Sequence, residues 1–397
     1  MAFLEPPPDL IKVREGMQNV AASMLRPISR KYDEEEHTYP KELDAFRGIQ
    51  VMGRAKKKKD GEKKDKPKDP DKIGQNLGTV VTVEEMCWGD CGLMLSIPNA
   101  GLGNAAISAV ATDEQLERFG KKWAAMAITE AESGSDAGSI STTADLDGDS
   151  WVLNGEKIFV TCADRCDCVV VWATVDKEAG KAGIKSFVVE KGTPGFTLDH
   201  LEHKLGIRAS DTGTFVLNNC RIPKENILGS PEVKQTTEGF KGVMKTFDNT
   251  RPMVAAMAVG VARASLDFTR EKLEQAGEKL DYSKSPNNCS ARQKDYYMAE
   301  ATLEAMRLLT WRAAWMADNG DFNNLEASMS KAKAGRGGTL ITQKCAEILG
   351  PLGITTKELA EKWMRDSKIL DIFEGTGQIQ HLIIARNVLK LSRSQLQ

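Results

Sequence analysis

TTADLDGDSWVLNGEKIFVT, residues 142–161, decides the fold. Its apolar side chains fall two apart, at Ala144 and Leu146, Trp151 and Leu153, Ile158 and Val160, which is the period of a strand with one buried face. Asp147-Gly148 and Asn154-Gly155 are turn-forming dipeptides, and both are expected to close hairpins. SFVVEKGTPGFTLDH, residues 186–200, continues the alternation with Gly and Pro breaks. A β barrel or sandwich is therefore expected from about Ala127 to Ile227.

The pattern changes on either side of this segment. From Asp9 to about Met126 apolar residues recur at helical spacing, and helical periodicity returns after Glu232. Helices are expected near 234–276, 290–318, 322–349, 356–368 and 377–393. Gly350-Pro351 is a helix stop in the expected order. Thr355 with Glu358 is expected to form a capping box for the next helix. The fold class is α+β multi-domain: an N-terminal helical domain (1–126), a middle β domain (127–231) and a C-terminal helical bundle (232–397).

A chain of 397 residues exceeds one ordinary core. Its 41% apolar and 28% charged content suits a globular protein, and no apolar run reaches the roughly 18 to 20 residues of a membrane span. A net charge of -2 argues against a nucleic-acid binder. MAFLEPPPDL resembles neither a secretory nor a transit signal, so a cytoplasmic or otherwise internal location is expected, the mitochondrial matrix if the source is eukaryotic. Between Arg54 and Lys72 ten basic residues stand against five acidic ones with Ala55 as the apolar exception. Such a segment reads as a mobile surface loop, or alternatively as a basic patch that steers an acidic partner.

Two features invite chemistry that their context does not support. GLGNAA, from Gly101, fits a dinucleotide-binding fingerprint, but Pro98 interrupts the strand that must precede it and Met126 stands where an acid is required; close helix packing or a turn is the simpler reading. Cys162, Cys166 and Cys168 lack a nearby fourth ligand and sit in a strand-like context, so buried thiols are expected and no metal site. The histidines His37, His200, His203 and His381 are scattered.

AMAITEAESGSDAGSI, residues 125–140, taken alone is a polar loop offering hydroxyls and close backbone N–H groups. It resembles the flavin-binding signature of the acyl-CoA dehydrogenase family, roughly T-E-P-x-x-G-S-D, with Ala131 in place of Pro. The resemblance continues in order through KIFVT (157–161), KLGIRASDTGTFVLNNCRIPKENILG (204–229), FDNTRPMVAAMAVGVA (247–262) and EKWMRDSKILDIFEGTGQIQ (361–380). It implies the acyl-CoA dehydrogenase fold, ending in a four-helix bundle, with FAD as cofactor. By resemblance Ile128 and Thr129 meet the isoalloxazine, Gly134 and Ser135 lie by the phosphates and the CoA entrance, and Phe159, Val160 and Thr161 approach from the next strand. Phe159 stands where the family usually keeps Trp.

The implied reaction is α,β-dehydrogenation of an acyl-CoA thioester. A base removes the α proton while the β hydrogen leaves as hydride to flavin N5. Glu374, between Phe373 and Gly375, fits the base, and the family's alternative position on an earlier helix is here Thr250, which cannot act as one. Gly375 lets the backbone crowd the thioester, Thr376 is a plausible N-cap, and Gly377 joins the flavin contacts. In the family the amide of this Glu helps hold the thioester oxygen, a kind of donor commonly worth about 3 kcal/mol to a transition state. Burial is expected to raise the Glu374 pKa and to outweigh the helix dipole. Asp248 and Arg251 resemble positions that contact CoA, or else are surface charges beside a Pro252 kink.

The family's R-x-x-F-G segment, which reaches a neighbouring subunit's FAD, aligns with Lys279-Leu280-Asp281-Tyr282-Ser283, with Ser290 where Gln is common. Lys279 can neutralise phosphate only as a point charge. EILGP stands where Q-x-x-G-G is expected, so Glu347 brings an acid beside Gly350. The resemblance implies a homotetramer or dimer that passes electrons to an electron-transferring flavoprotein. The alternatives are an acyl-CoA-binding subunit of a hetero-oligomer with an incomplete FAD site, and a flavin oxidase. Leu93, Met94 and Leu95 occupy the region where dicarboxylyl-specific relatives carry Arg, which favours an uncharged acyl tail.

Overall fold

The computed structural model describes residues 7–46, 73–98, 102–233, 238–392 and 395, with the side chains of the long helix starting at Glu238 described from Thr250 onward. The Lys-rich segment and the Asp248 side chain lie outside the described residues. Helices α1 (Pro8–Val20), α2 (Ser29–Glu34), α3 (Gln75–Gly89), α4 (Cys91–Leu95), α5 (Leu102–Val110) and α6 (Asp113–Phe119) precede the sheet. GLGNAA is close packing: it opens α5, and a Cβ on Gly103 would meet the Ala125 carbonyl oxygen at 2.2 Å. No helix among the described residues is long and apolar enough to cross a membrane.

The strands are β1 (Ala124–Ala127), β2 (Thr143–Asp147), β3 (Ser150–Thr161), β4 (Cys168–Thr174), β5 (Ile184–Glu190), β6 (Phe196–Leu201), β7 (Thr212–Pro223) and β8 (Ile227–Leu228). They run in the order β6-β7-β3-β2-β4-β5-β8, with β1 paired to β4. The two halves meet at the single β2–β4 pair Thr143↔Thr174 and share an apolar interior of Trp151, Leu153, Val169, Val171, Phe187, Phe215 and Leu217. On the outer side Val170 and Trp172 of β4 pack under Ile107 of α5 and Phe119 of α6. This explains why β4 is buried at every position, since each of its faces has a cover.

Of the two expected hairpin turns, Asp147-Gly148 lies at one, with Asp147 paired to Ser150 and Gly148 at φ +61°. Asn154-Gly155 does not. It lies inside β3 at a bulge against β7, where the Asn154 side chain accepts from the Asn219 amide at 2.7 Å and a Cβ on Gly155 would meet Thr142 Oγ1 at 2.5 Å. The glycine is needed for close approach across the sheet.

Then follow α7 (Glu238–Gln275), α8 (Ala291–Asn319), α9 (Asn324–Leu349), α10 (Pro351–Ile354), α11 (Ala360–Ser367) and α12 (Gly377–Leu389). Small residues let the long helices approach: a Cβ on Gly337 of α9 would meet Met306 Sδ of α8 at 2.5 Å. The stop at Gly350 is as expected, with φ +59° and ψ -130°, but the Thr355/Glu358 capping box does not form. Pro351 opens a short helix of its own, Thr355 Oγ1 donates to the Leu352 carbonyl (3.4 Å), and α11 starts only at Ala360. The hydroxyl turns back to the end of one helix, and the next starts too far along the chain for Thr355 to be its cap.

A buried ionic frame ties these parts together. Lys362 Nζ of α11 lies 2.7 Å from Asp90 Oδ2 ahead of α4 and also bonds Asp366, whose Oδ1 accepts from the Ile207 amide at 2.6 Å. Arg365 pairs with Asp33 of α2 at 2.6 Å. Paired charges of this kind tolerate burial, whereas losing one partner costs about 3–5 kcal/mol.

Candidate active site

The expected site residues fall into three groups. The first surrounds Glu374. The turn between α11 and α12 carries Glu374 at φ +58° and Gly375 at φ +90°. A non-glycine residue rarely holds that conformation without supports. Those supports are present: Thr376 caps α12, its Oγ1 accepting from the Ile379 amide (3.3 Å), and fully buried Gln380 donates from Nε2 to the Gly375 carbonyl (3.1 Å). Asp371 packs against Gly377, whose added Cβ would meet its Oδ1 at 2.6 Å. Phe373 is partly buried against the helical core.

Thr250 Oγ1 of α7 donates to Glu374 Oε2 at 2.9 Å. Glu374 is half-buried, and desolvation pushes its carboxyl above the ordinary range, partly offset by Thr250, Lys331 and Arg251. This is the direction expected when burial outweighs the helix dipole. Arg251 is 3% exposed and its Nη1 lies 3.5 Å from Ser328 Oγ, so it is no surface charge. Sequence reasoning passed over three contributors here: Thr250 as a bond to the base, Gln380, and Lys331 of α9. Lys331 is fully buried, its Nζ has no hydrogen-bond partner among the described residues, and desolvation lowers its pKa to about 8. A signal for it existed, because Ala327, Lys331, Ala334, Gly338, Ile341 and Cys345 follow one helical stripe, all of it buried.

The second group lies where β1 meets β3. The Thr129 carbonyl accepts from the Ile158 amide (2.9 Å), and Lys157 Nζ donates to the Ile128 carbonyl (3.0 Å). Glu130 is buried beneath this loop, bonded by Ser141, Thr142 and, at 2.7 Å, Lys157. Burial alone would raise Glu130, yet these bonds outweigh it and hold the carboxyl at about 2. Burial lowers Lys157 to about 8, so the two ends of the pair point in opposite directions. The 2.7 Å contact and the second bond to Ile128 identify an ion pair, with Glu130 anchoring the loop from below. Above it Gly134 and Ser135 are exposed, and a Cβ on Gly134 would meet nothing within 4 Å. Phe159 stands 60% exposed at φ +58°, next to buried Val160 and half-buried Thr161. An exposed ring on a strained backbone, one residue from the bond that joins β3 to Thr129, fits an aromatic cofactor that would cover it.

The third group is at the start of α8. Lys279, Lys284, Arg292, Glu278, Ser290 and Gln293 line a cavity of about 540 Å³. Ser290 caps α8 in a reciprocal box with Gln293, whose Nε2 also donates to the Lys279 carbonyl (3.0 Å). Cations beside a helix N-terminus suit a phosphate. Tyr282 is held by Arg270 (2.9 Å) and Glu300 (2.7 Å). Glu347, the unwelcome acid, is paired with Lys344 at 2.6 Å, and Gly350 follows at the end of α9. Leu93, Met94 and Leu95 of α4 are buried core. Cys162, Cys166 and Cys168 are buried thiols, the last two pushed up to about 12 by burial, as thiols packed in a core are.

Comparison with known proteins agrees with this arrangement. The family model for the acyl-CoA dehydrogenase middle domain matches residues 125–220, and that for the acyl-CoA dehydrogenase C-terminal domain matches 237–389. The chain belongs to the acyl-CoA dehydrogenase family and is an FAD-dependent oxidoreductase acting on acyl-CoA. It is 35% identical over 395 residues to the short-chain specific acyl-CoA dehydrogenase of Rattus norvegicus mitochondria, covering 96% of this chain and 90% of that one. It is 34% identical over 325 residues to the caffeyl-CoA reductase-Etf complex subunit CarC of Acetobacterium woodii, covering 80% and 83%. The structure of butyryl-CoA dehydrogenase from Megasphaera elsdenii is similar with a TM-score of 0.81 and 28% identity, covering 96% and 98%.

Proposed function

We propose that the chain catalyses α,β-dehydrogenation of an acyl-CoA with an uncharged acyl tail, with Glu374 as the base. The observation that carries this reading is the Glu374 carboxyl, fixed by strained backbone and by Thr250 at 2.9 Å, with a pKa raised by desolvation. A C–H acid beside a thioester is weak, so the base must be oriented and little hydrated before the substrate arrives. A raised pKa also makes the ionised Glu374 carboxylate a better proton acceptor. FAD, when bound, supplies the acceptor for the β hydrogen. The chain's part is to hold it: Ile128, Thr129, Phe159, Val160, Thr161, Thr376 and Gly377 for the ring, Gly134 and Ser135 toward the phosphates. Lys279, Tyr282, Glu347 and Gly350 face the cofactor of a second subunit in a homotetramer or dimer. Arg251 acts from beneath Glu374, and Ser135, Phe373 and Gly375 line the thioester path. The partition proposed is that of 1–126, 127–231 and 232–397 with its first boundary moved to 123/124, so that β1 stays with the sheet.

We also propose an electron-transferring flavoprotein as acceptor, supported by the name of the Acetobacterium relative. The test is anaerobic addition of a panel of acyl-CoA thioesters to the yellow purified chain, followed at the flavin band. Bleaching by uncharged acyl-CoA is expected; a colourless chain that still binds acyl-CoA would favour the hetero-oligomer. Glu374→Gln should keep FAD and ligand binding but reduce the flavin at least 10²- to 10⁴-fold more slowly, the usual range for loss of a general base. Near-normal reduction would remove Glu374 from that role.

A further inference from the structure

Far along the chain from these groups, Glu36 and His37, just after α2, meet His203, just after β6. One ligating atom from each of these three side chains lies within 4.8 Å of the other two, and this is the group of that kind among the described residues. We propose that Glu36, His37 and His203 form a binding site for a divalent transition-metal ion, with Zn²⁺ as the fitting case, that clamps the N-terminal helices to the β domain.

The geometry is close to that of a bound site. Donors held at about 2.0–2.2 Å from one zinc in tetrahedral arrangement lie roughly 3.4 Å apart. His203 Nδ1 and Glu36 Oε2 are 3.1 Å apart. The His37 and His203 rings stand 5.2 Å apart at 57°, so their nitrogens can converge without stacking. His203 is exposed and can turn by the small amount required, leaving a fourth position for water.

A second observation points to a ligand independently. Both ring nitrogens of His37 are buried, and neither has a hydrogen-bond partner among the described residues. Buried polar atoms normally find one, so a pair left over on one imidazole calls for something to fill the place. The carboxylate is oriented from behind, as ligating carboxylates usually are: Glu36 Oε1 accepts from the Lys204 amide at 2.8 Å, leaving Oε2 toward the histidines. The neighbouring cations are engaged elsewhere: Arg165 lies 3.2 Å from Asp211, and Lys204 Nζ donates to the Ser210 carbonyl at 2.7 Å. Two imidazoles and a carboxylate suit zinc and its neighbours, and not magnesium or calcium.

The experiment is calorimetric titration of Zn²⁺ into tag-free, chelator-treated holoenzyme, with Co²⁺ visible absorption as a geometric probe. One equivalent per chain is expected, with tetrahedral Co²⁺ bands and a melting temperature raised by Zn²⁺. Affinity should fall about 10- to 100-fold or more in His203→Ala, whose exposed position makes misfolding an unlikely cause, and in His37→Asn, which tolerates the φ of +70° there. His200→Ala, altering an exposed histidine two strand positions from the loop, should bind as the parent does. Flavin reduction should be unchanged in His203→Ala. The proposal is overturned if the parent binds no Zn²⁺ at submillimolar levels, if both site variants bind as tightly as the parent, or if His200→Ala abolishes binding.

Discussion

Lys362 and Lys331 are both buried lysines in the helical part of the chain, and the molecule treats them in opposite ways. Lys362 sits between Asp90 and Asp366; burial would lower its pKa, but the two carboxylates outweigh that and raise it. Lys331 lacks a hydrogen-bond partner, and its ammonium is lowered to about 8 with Glu374 and Asp371 as the opposing charges. Both pay a desolvation cost, yet only one recovers it in direct contacts. The first holds three parts of the chain in register. The second stands beneath the proposed base, where an unsatisfied positive charge lowers the carboxyl that burial raises. Strength of pairing thus separates framework from site.

The largest effect is expected from breaking the frame. Lys362→Met leaves Asp90 and Asp366 buried without their cation, and should cost about 3–5 kcal/mol, read as an early thermal transition of the FAD-loaded protein. The raised pKa fixes the pH dependence: the contribution of Lys362 is complete below about 10.5, the unfolded value, and is lost as pH rises through the higher folded value. A variant as stable as the parent would mean that the triad adds nothing.

The same substitution at Lys331 should act in the opposite sense. Its folded pKa is lowered, so between about 8 and 10.5 the unfolded chain binds more protons and stability rises with pH. The shift of about 2.5 pKa units corresponds to about 3 kcal/mol. Lys331→Met should therefore be more stable than the parent near pH 7, and that advantage should shrink by about 3 kcal/mol by pH 10.5 in paired denaturation curves. Its flavin-reduction profile should move to higher pH, because Glu374 loses a charge that lowers it. The other groups facing Glu374, Thr250 and Arg251 on α7, stay in place. An unshifted profile would make Lys331 a core residue only.

Much of this was legible in the sequence, for physical reasons that also explain the misses. Period-two alternation over 142–161 and helical periodicity after 232 gave the right layers because one buried face writes itself into every strand and helix. EGTG by itself fits a helix-capping acid, and Glu374 stands out as a candidate base only through the family-like blocks around it. The errors came where one residue can serve two local structures. Asn154-Gly155 suits a hairpin turn and a bulge equally, and only the approach of Thr142 decides. Thr355 suits either helix beside it, and Pro351 decides by starting α10. The Thr250 bond to Glu374 spans 124 positions and the Glu36–His203 contact 167, distances over which spacing carries no signal.

The smallest effect, and the finest test of the comparison, concerns Thr250. Its hydroxyl donates to the Glu374 carboxylate, and a bond to a charged group is worth about 1.5–3 kcal/mol when nothing replaces it. Glu374 is only half-buried, so water recovers part of that on removal. Thr250→Val keeps the shape and deletes the bond. The ionised base should be disfavoured, its pKa should rise further, and flavin reduction near neutrality should slow several-fold while recovering at higher pH. Thr250→Ser, which keeps the hydroxyl, should behave as the parent. The pH axis separates two roles for the hydroxyl: a deficit that vanishes at high pH means that Thr250 sets how much of the base is ionised. One that persists unchanged at every pH means that it sets where the carboxylate points, and Lys331 alone then carries the electrostatic side of the contrast.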